Sequence, residues 1–410
     1  MLWVVRLLLA QSCSDDGKQL PLATFAHTSN EYFVEKATRR ERWSGPQVQQ
    51  PAVITEDGAL RVVALDATKF LTYESDNGWN NQLLNVLCAI DMARLLNRTL
   101  IIPPFRWQRR RGQASVSVGR LLDLRSLAPL LPLLVEDEHG SVQAALAEAG
   151  ALVKTIAGEG QPHRRSGKPR WNRQRWVDDF VKDDAQVLKV TCCLFWTWSI
   201  PSEELRRLHQ SLRYSFALEA GARAAAESLG PGFAALHVRR GDKLHVDRAY
   251  TRMFGSMDQN YFMRLMELEG FERGASVYVA TDEPSRDWFA PIREVYNLSF
   301  VENLDQKPLL DVLAAFPQPL WADVLAILEQ IICIQAPNGF VGTLPSTLSG
   351  HIVNARVVKS ARNDATMFTK LHELCCDPLT QADLQRGGWR DKTGVLLPGT
   401  LPCQLPEPWC

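Results

Sequence analysis

Ala235-Leu236-His237-Val238-Arg239-Arg240-Gly241-Asp242-Lys243 reads as an apolar strand that runs straight into a histidine, two arginines and an aspartate. In open α/β sheets, ligands sit beyond the carboxyl ends of the strands. A guanidinium delivered there can fork onto a pyrophosphate, and Asp242 is placed to orient it from behind. The same residues would also serve as a surface ion-pair cluster closing a strand, and the pattern alone leaves both readings open. In either case the segment predicts a strand over 233–238.

Working outward from it, strands and helices alternate. Downstream, the pattern predicts a helix over 259–269, a strand over 276–280, an apolar helix over 322–335, a strand over 339–342 and a helix beginning at Ser346. Upstream, 61–67 and 69–73 read as short strands, and 76–81 has turn chemistry. Residues 82–97 place Leu83, Leu84, Leu87, Ile90 and Leu95 on a broad apolar helical face. Thr99–Ile102 reads as a strand closed by Pro103-Pro104, which completes a βαβ unit. Further on, 121–134 is leucine-rich with prolines, 143–153 is alanine-rich and reads as helix, and 187–196 reads as strand. Residues 202–229 read as one helical stretch ended by Gly230-Pro231-Gly232. Two alternating runs predict an α/β protein with two Rossmann-like domains, at 59–215 and 216–360, facing across a cleft. A polar arm (1–58) precedes them and a cysteine-containing tail (361–410) follows.

Three further turns fall where the first one does, at strand ends. In Phe340-Val341-Gly342-Thr343-Leu344-Pro345-Ser346-Thr347-Leu348-Ser349 a strand meets a helix through glycine and hydroxyl residues. Amides and the Ser346 and Thr347 hydroxyls at a helix N-terminus suit phosphate oxygens, although an ordinary Ser/Thr cap has the same look. Val277-Tyr278-Val279-Ala280-Thr281-Asp282-Glu283 ends in an aspartate that would accept from a guanine edge or a ribose hydroxyl, or would simply cap a helix. Gly78-Trp79-Asn80-Asn81-Gln82 offers close backbone approach at Gly78 and amides for sugar hydroxyls or phosphate, or is a plain tight turn. Together the four turns are what a donor pocket requires.

Charge and cysteine usage narrow the setting. The 410 residues carry 46 Lys+Arg against 46 Asp+Glu, so no overall field favours nucleic acid or an anionic membrane. The basic, aromatic stretch 161–176, with Arg164, Arg165, Lys168, Arg170, Trp171, Arg173, Arg175 and Trp176, could stack on single-stranded nucleic acid. In a neutral chain it reads instead as a solvated surface or a lip over a polar ligand, and no nucleic-acid partner is expected. Of nine cysteines, Cys375, Cys376, Cys403 and Cys410 lie in the tail, where disulfides would suit an oxidising compartment. Cys88, Cys192 and Cys333 sit in apolar runs as core residues. No CxxC spacing occurs, and no metal site is expected. The apolar start Met1–Ala10 is too short for a transmembrane span. With the sequons Asn97-Arg98-Thr99 and Asn297-Leu298-Ser299, these features point to the endoplasmic reticulum or Golgi lumen.

Asn80-Asn81-Gln82, Leu95 to Pro104, His237 to Asp242, Val277 to Asp282, and Gly342-Thr343 with Ser346-Thr347 stand in the order in which the protein O-fucosyltransferase family carries such segments. The chain resembles that family, its plant and algal branches included, over roughly 69–352. The His-Val-Arg-Arg stretch is also similar to α1,6-fucosyltransferases. The resemblance implies a GT-B fold and an inverting, metal-independent transfer of fucose from GDP-fucose to a Ser/Thr hydroxyl of a protein or to a glycan hydroxyl, with no cofactor. It implies that Arg239 contacts the donor phosphates and glycosidic oxygen and that His237 lies beside it on the donor. Ser346 and Thr347 would hold phosphate and Asp282 the nucleotide, with Asp242 behind the arginine. Asn80 or Asn81, after Gly78, would be the asparagine of the first glycine-rich turn.

One position departs from the family. Where one branch carries a catalytic glutamate before the first turn, Asn77 stands here, with Glu74 and Asp76 nearby. Either such a carboxylate, Glu74 foremost, substitutes as base, or the acceptor is activated without one. Two rivals follow: a transferase for another deoxysugar or an α1,6-fucosyl-type glycan acceptor, and a nucleotide-sugar-binding protein without turnover.

Overall fold

The computed structural model describes residues 52–54, 60–62, 69–74, 78–106, 114–137, 140–157, 173–191, 200, 202–241, 244, 257–343 and 346–359. The chain divides into two units after Phe216.

The N-terminal unit is built on five parallel strands: β1 (Phe70–Tyr73), β2 (Thr99–Ile102), β3 (Leu133–Val135), β4 (Val153–Ala157) and β5 (Val187–Thr191). Their order across the sheet is β3-β2-β1-β5-β4. Central β1 pairs Phe70 with Thr99 on one side and Val187 on the other. Helix α1 (Trp79–Leu95) connects β1 to β2 and is buried nearly all round, from Gln82 to Ala93 without a break. It therefore shows a broad apolar face in sequence rather than a narrow stripe. Asn97 ends it at φ 50°, a left-handed turn that asparagine tolerates, and the Arg98 amide returns to the Ala93 carbonyl at 2.9 Å.

Several sequence expectations change here. Helix α1 begins at Trp79 rather than residue 82, so Asn80 and Asn81 lie in its first turn and not in an open loop. The alanine-rich stretch splits into helix α2 (Ser141–Glu148) and strand β4, because Val153, Thr155 and Ile156 are β-branched and favour extending the sheet. Residues 60–62 pair antiparallel with 52–54, outside the main sheet, so part of the expected arm is strand. The basic stretch 161–176 runs at its end into helix α3 (Arg173–Phe180), where Trp176 is fully buried against Phe180 with ring centroids 4.5 Å apart. That tryptophan is core rather than a stacking platform; residues 161–172 lie outside the described residues. The helical run 202–229 is two helices, α4 (Ser202–Ser211) and α5 (Phe216–Ala226). Between them Ser215 donates its amide to the Leu121 carbonyl.

The C-terminal unit is built on four parallel strands: β6 (Ala234–Val238), β7 (Ser276–Thr281), β8 (Asn297–Phe300) and β9 (Phe340–Gly342), in the order β8-β7-β6-β9. His237 in β6 pairs with Ala280 of β7 and Gly342 of β9. Helix α6 (Gln259–Leu268) follows β6, α7 (Ala290–Arg293) precedes β8, and α8 (Gln306–Ala314) and α9 (Trp321–Gln335) lead to β9. Helix α10 (Thr347–Lys359) closes the unit. Strand β8 and helix α8 were not anticipated: Asn297-Leu298-Ser299-Phe300 is too short and too polar for a period to show. A chain of edge-to-face rings, Phe262–Trp288–Phe289–Phe300, runs through this core at centroid spacings of 6.1, 4.8 and 5.2 Å. Cys88 and Cys333 are buried and in no disulfide; the tail cysteines and Cys192 lie outside the described residues.

A cross-linked sheet edge as candidate donor site

The carboxyl end of β6 does not fray into a loop; side chains from the neighbouring strands fasten it. The Thr343 hydroxyl donates to the His237 carbonyl at 2.9 Å and accepts from the Arg239 amide at 2.7 Å. On the other flank, Thr281 donates its hydroxyl to the Val238 carbonyl at 2.8 Å. Asp282 Oδ1 then accepts from the amides of Arg240 and Gly241 at 2.7 and 3.0 Å, and Oδ2 pairs with Arg239 Nη1 at 2.8 Å. Gly241 is required by this arrangement: a Cβ there would stand 2.6 Å from Asp282 Oδ2 and 2.9 Å from the Asp282 carbonyl oxygen.

The two arginines have different surroundings. Arg240 has a 13 % exposed side chain. It lies 4.6 Å over the Trp288 ring, bonds Glu283 at 3.2 Å and donates to the Met257 carbonyl at 3.3 Å. It holds the loop to the core. Arg239 keeps a third of its side chain exposed and is oriented by Asp282, so a charge-assisted fork remains within reach of a ligand. Asp282 is thus one partner that orients Arg239; Asp242, expected in that part, lies outside the described residues.

His237 is buried at 4 % exposure, with Nδ1 2.6 Å from Ser349 Oγ. Burial, with the nearby Arg239 charge adding to it, pushes its pKa down to about 3, so the ring is neutral at ordinary pH. Ser346 caps α10: its carbonyl accepts from Gly350 at 2.9 Å, and its own amide donates to the Thr343 carbonyl at 3.2 Å. Ser346 and Thr347 are half-buried at the first turn. The positive end of a helix of 13 residues thus starts four residues beyond the threonine that bonds Arg239.

The candidates of the N-terminal unit sit at the carboxyl side of β1. Gly78 is extended (φ −66°, ψ 164°), and its carbonyl accepts from Asn81 and Gln82 at 3.0 and 3.1 Å. Asn80 and Asn81 are half-buried beside the buried Trp79, which packs edge-on to Phe105 at 5.4 Å. Glu74 is exposed, and its carboxylate lies 3.4 Å from Lys189 Nζ. Asp76 and Asn77 lie outside the described residues. Gln82 exchanges two bonds with the Arg106 backbone, at 2.8 and 3.2 Å, and so serves the fold. Sequence reasoning passed over Ser349 and underused Thr343. A hydroxyl directly after a strand-ending glycine, and a second one a helical turn beyond Ser346, were the available signals.

A family model described as GDP-fucose protein O-fucosyltransferase matches residues 70–359. The chain belongs to this family. The O-fucosyltransferase match takes in every element of both parallel sheets, and it makes the chain a fucosyltransferase-like glycosyltransferase. No curated protein matches the sequence. Among solved structures, the chain is similar to POFUT1 in complex with GDP (14 % identity, 73 % of this chain and 97 % of that one, TM-score 0.49). It is also similar to POFUT1 in complex with GDP-fucose (14 %, 68 % and 99 %, 0.42) and to the fucosyltransferase NodZ from Bradyrhizobium (12 %, 71 % and 93 %, 0.45). Likeness at this level assigns no residue of the O-fucosyltransferase chain a role. No helix among the described residues is long and apolar enough to cross a membrane.

Proposed function

We propose that this chain transfers fucose from GDP-fucose to a Ser/Thr hydroxyl of a protein, with inversion and without a metal, inside the secretory pathway. The observation that carries the reading is Arg239. Its guanidinium stands at the carboxyl edge of a central parallel strand, is held by Asp282, and its backbone is bonded through Thr343 to the turn that opens α10. The leaving diphosphate gathers negative charge as the glycosidic bond breaks, and fixed cations and helix-end amides stabilise that charge without reorganising. Arg239 takes the phosphates and glycosidic oxygen, Ser346 and Thr347 the remaining phosphate oxygens, His237 the donor beside them, and Asp282 and Asp242 the loop and nucleotide. Charge neutralisation by protein groups is the ground for metal independence. Gly78, Asn80 and Asn81 contribute polar contacts to substrate, and Glu74 is the carboxylate that takes the acceptor proton.

Thermal-shift measurements with GDP, GDP-fucose and UDP-rhamnose, followed by GDP release in EDTA, test the proposal. Stabilisation by both guanine nucleotides and EDTA-resistant release are expected, with a product anomer opposite to the donor's. Stabilisation by the UDP-sugar alone defeats the fucose reading, and GDP binding without donor cleavage makes the chain a binding protein.

A further inference from the structure

Ser349 has no part in the assignment above, yet the unit is shaped around it. Its side chain is 5 % exposed, and its Oγ lies 2.6 Å from Nδ1 of the equally buried His237. Residue 342, the partner of His237 on the neighbouring strand, is a glycine. A Cβ at 342 would stand 2.6 Å from Ser349 Oγ and 2.8 Å from Ser349 Cβ. The sheet thus gives up a side chain at 342, and the serine occupies that space. Ser349 also belongs to the first turn of α10, which Ser346 caps, so the imidazole is tied to the turn that carries Ser346 and Thr347.

In a neutral imidazole, the hydrogen bond at one nitrogen decides which nitrogen carries the proton. Phosphate oxygens only accept, so a ring serving them is useful with N–H outward. We propose that Ser349 is a positioning residue: its hydroxyl donates to Nδ1, fixes the ring plane of His237 and leaves the proton on Nε2. This rests on the reading of His237 as a donor contact.

The test combines nitrogen shifts of ¹⁵N-histidine-labelled protein, the His237 signal being identified by its loss in His237→Gln, with kinetics on GDP-fucose. In the wild type, Nδ1 is expected to be unprotonated and Nε2 protonated. In Ser349→Ala both shifts move towards a mixture of tautomers. The variant's kcat/KM then falls about 10- to 100-fold, as when a buried polar group loses its partner. Gly342→Ala keeps the hydroxyl but displaces it and should shift the same two nitrogens; it serves alone if Ser349→Ala does not fold. A protonated Nδ1 in the wild type, or unchanged shifts with kcat/KM within about twofold, overturns the proposal. If the wild type does not process GDP-fucose, the transferase reading fails, while the nitrogen shifts still decide the role of Ser349.

Discussion

The two units share an architecture, a parallel sheet with helical crossovers, but use their polar residues differently. In the N-terminal unit the buried polar groups hold the chain together. Arg98, 4 % exposed, donates to the carbonyls of Ala185 at 2.7 Å, Asp183 at 2.8 Å and Phe70 at 3.3 Å. Glu136 accepts the Val142 and Gln143 amides at the start of α2, and burial raises its pKa. In the C-terminal unit the corresponding bonds converge on one strand end and leave a guanidinium partly open. An arginine facing carbonyls supports a fold. An arginine paired with a carboxylate and still a third exposed can share that partner with an anion.

The comparison breaks most readily at the two arginines. Arg239→Ala should cut turnover of GDP-fucose by about 100-fold or more, with the unfolding midpoint nearly unchanged; retention of more than about a tenth of wild-type turnover would remove Arg239 from the reaction. Arg98→Met should do the reverse. It takes the guanidinium away from three carbonyls, of which only that of Asp183 is shown to keep a second side-chain donor, Lys69 Nζ at 3.0 Å, and should cost about 3 kcal/mol of stability in urea unfolding, while the folded fraction keeps its kcat.

Each unit also buries a histidine whose pKa is pushed down by burial, His209 to about 4 and His237 to about 3. Both lie below the unfolded value of about 6.5, so the unfolded chain binds more protons between those values. Stability is therefore full above about pH 6.5 and is lost as pH falls towards 4. At pH 5 each histidine should cost about 2 kcal/mol relative to pH 7, and His209→Gln should flatten the profile by its own share. A profile that His209→Gln leaves unchanged would show that His209 is not neutral in the fold.

The smallest effect is expected at Glu74. Glu74→Gln should lower kcat by about tenfold, because a transition state led by departure of the leaving group leans little on a base. No change at all would assign acceptor activation to something other than this carboxylate.

Much of this difference was legible in the sequence. The apolar run ending in His237-Val238-Arg239-Arg240 announced both the central strand and its charged edge, because an uninterrupted apolar stretch in a buried parallel sheet has few alternatives. Gly342-Thr343 and Ser346-Thr347 marked the second strand end in the same way. Which of the two arginines stays partly exposed was not legible, since that depends on Trp288, Glu283 and Met257, up to 48 residues away in the chain. Nor was the Arg239–Asp282 pair: the two are far apart in sequence and meet because β6 and β7 lie side by side. Strand β8 and helix α8 escaped for a simpler reason: short segments carry too few residues to display a period.

Thr343 makes the last rung of the β6–β9 ladder with a side chain as well as with its amide, which also donates to the His237 carbonyl at 2.9 Å. A parallel pair only three residues deep could otherwise slip by one residue, which would turn every alternate side chain to the opposite face. The threonine works as an end stop against such sliding. The histidine keeps its side of the sheet because one hydroxyl fixes where two strands finish.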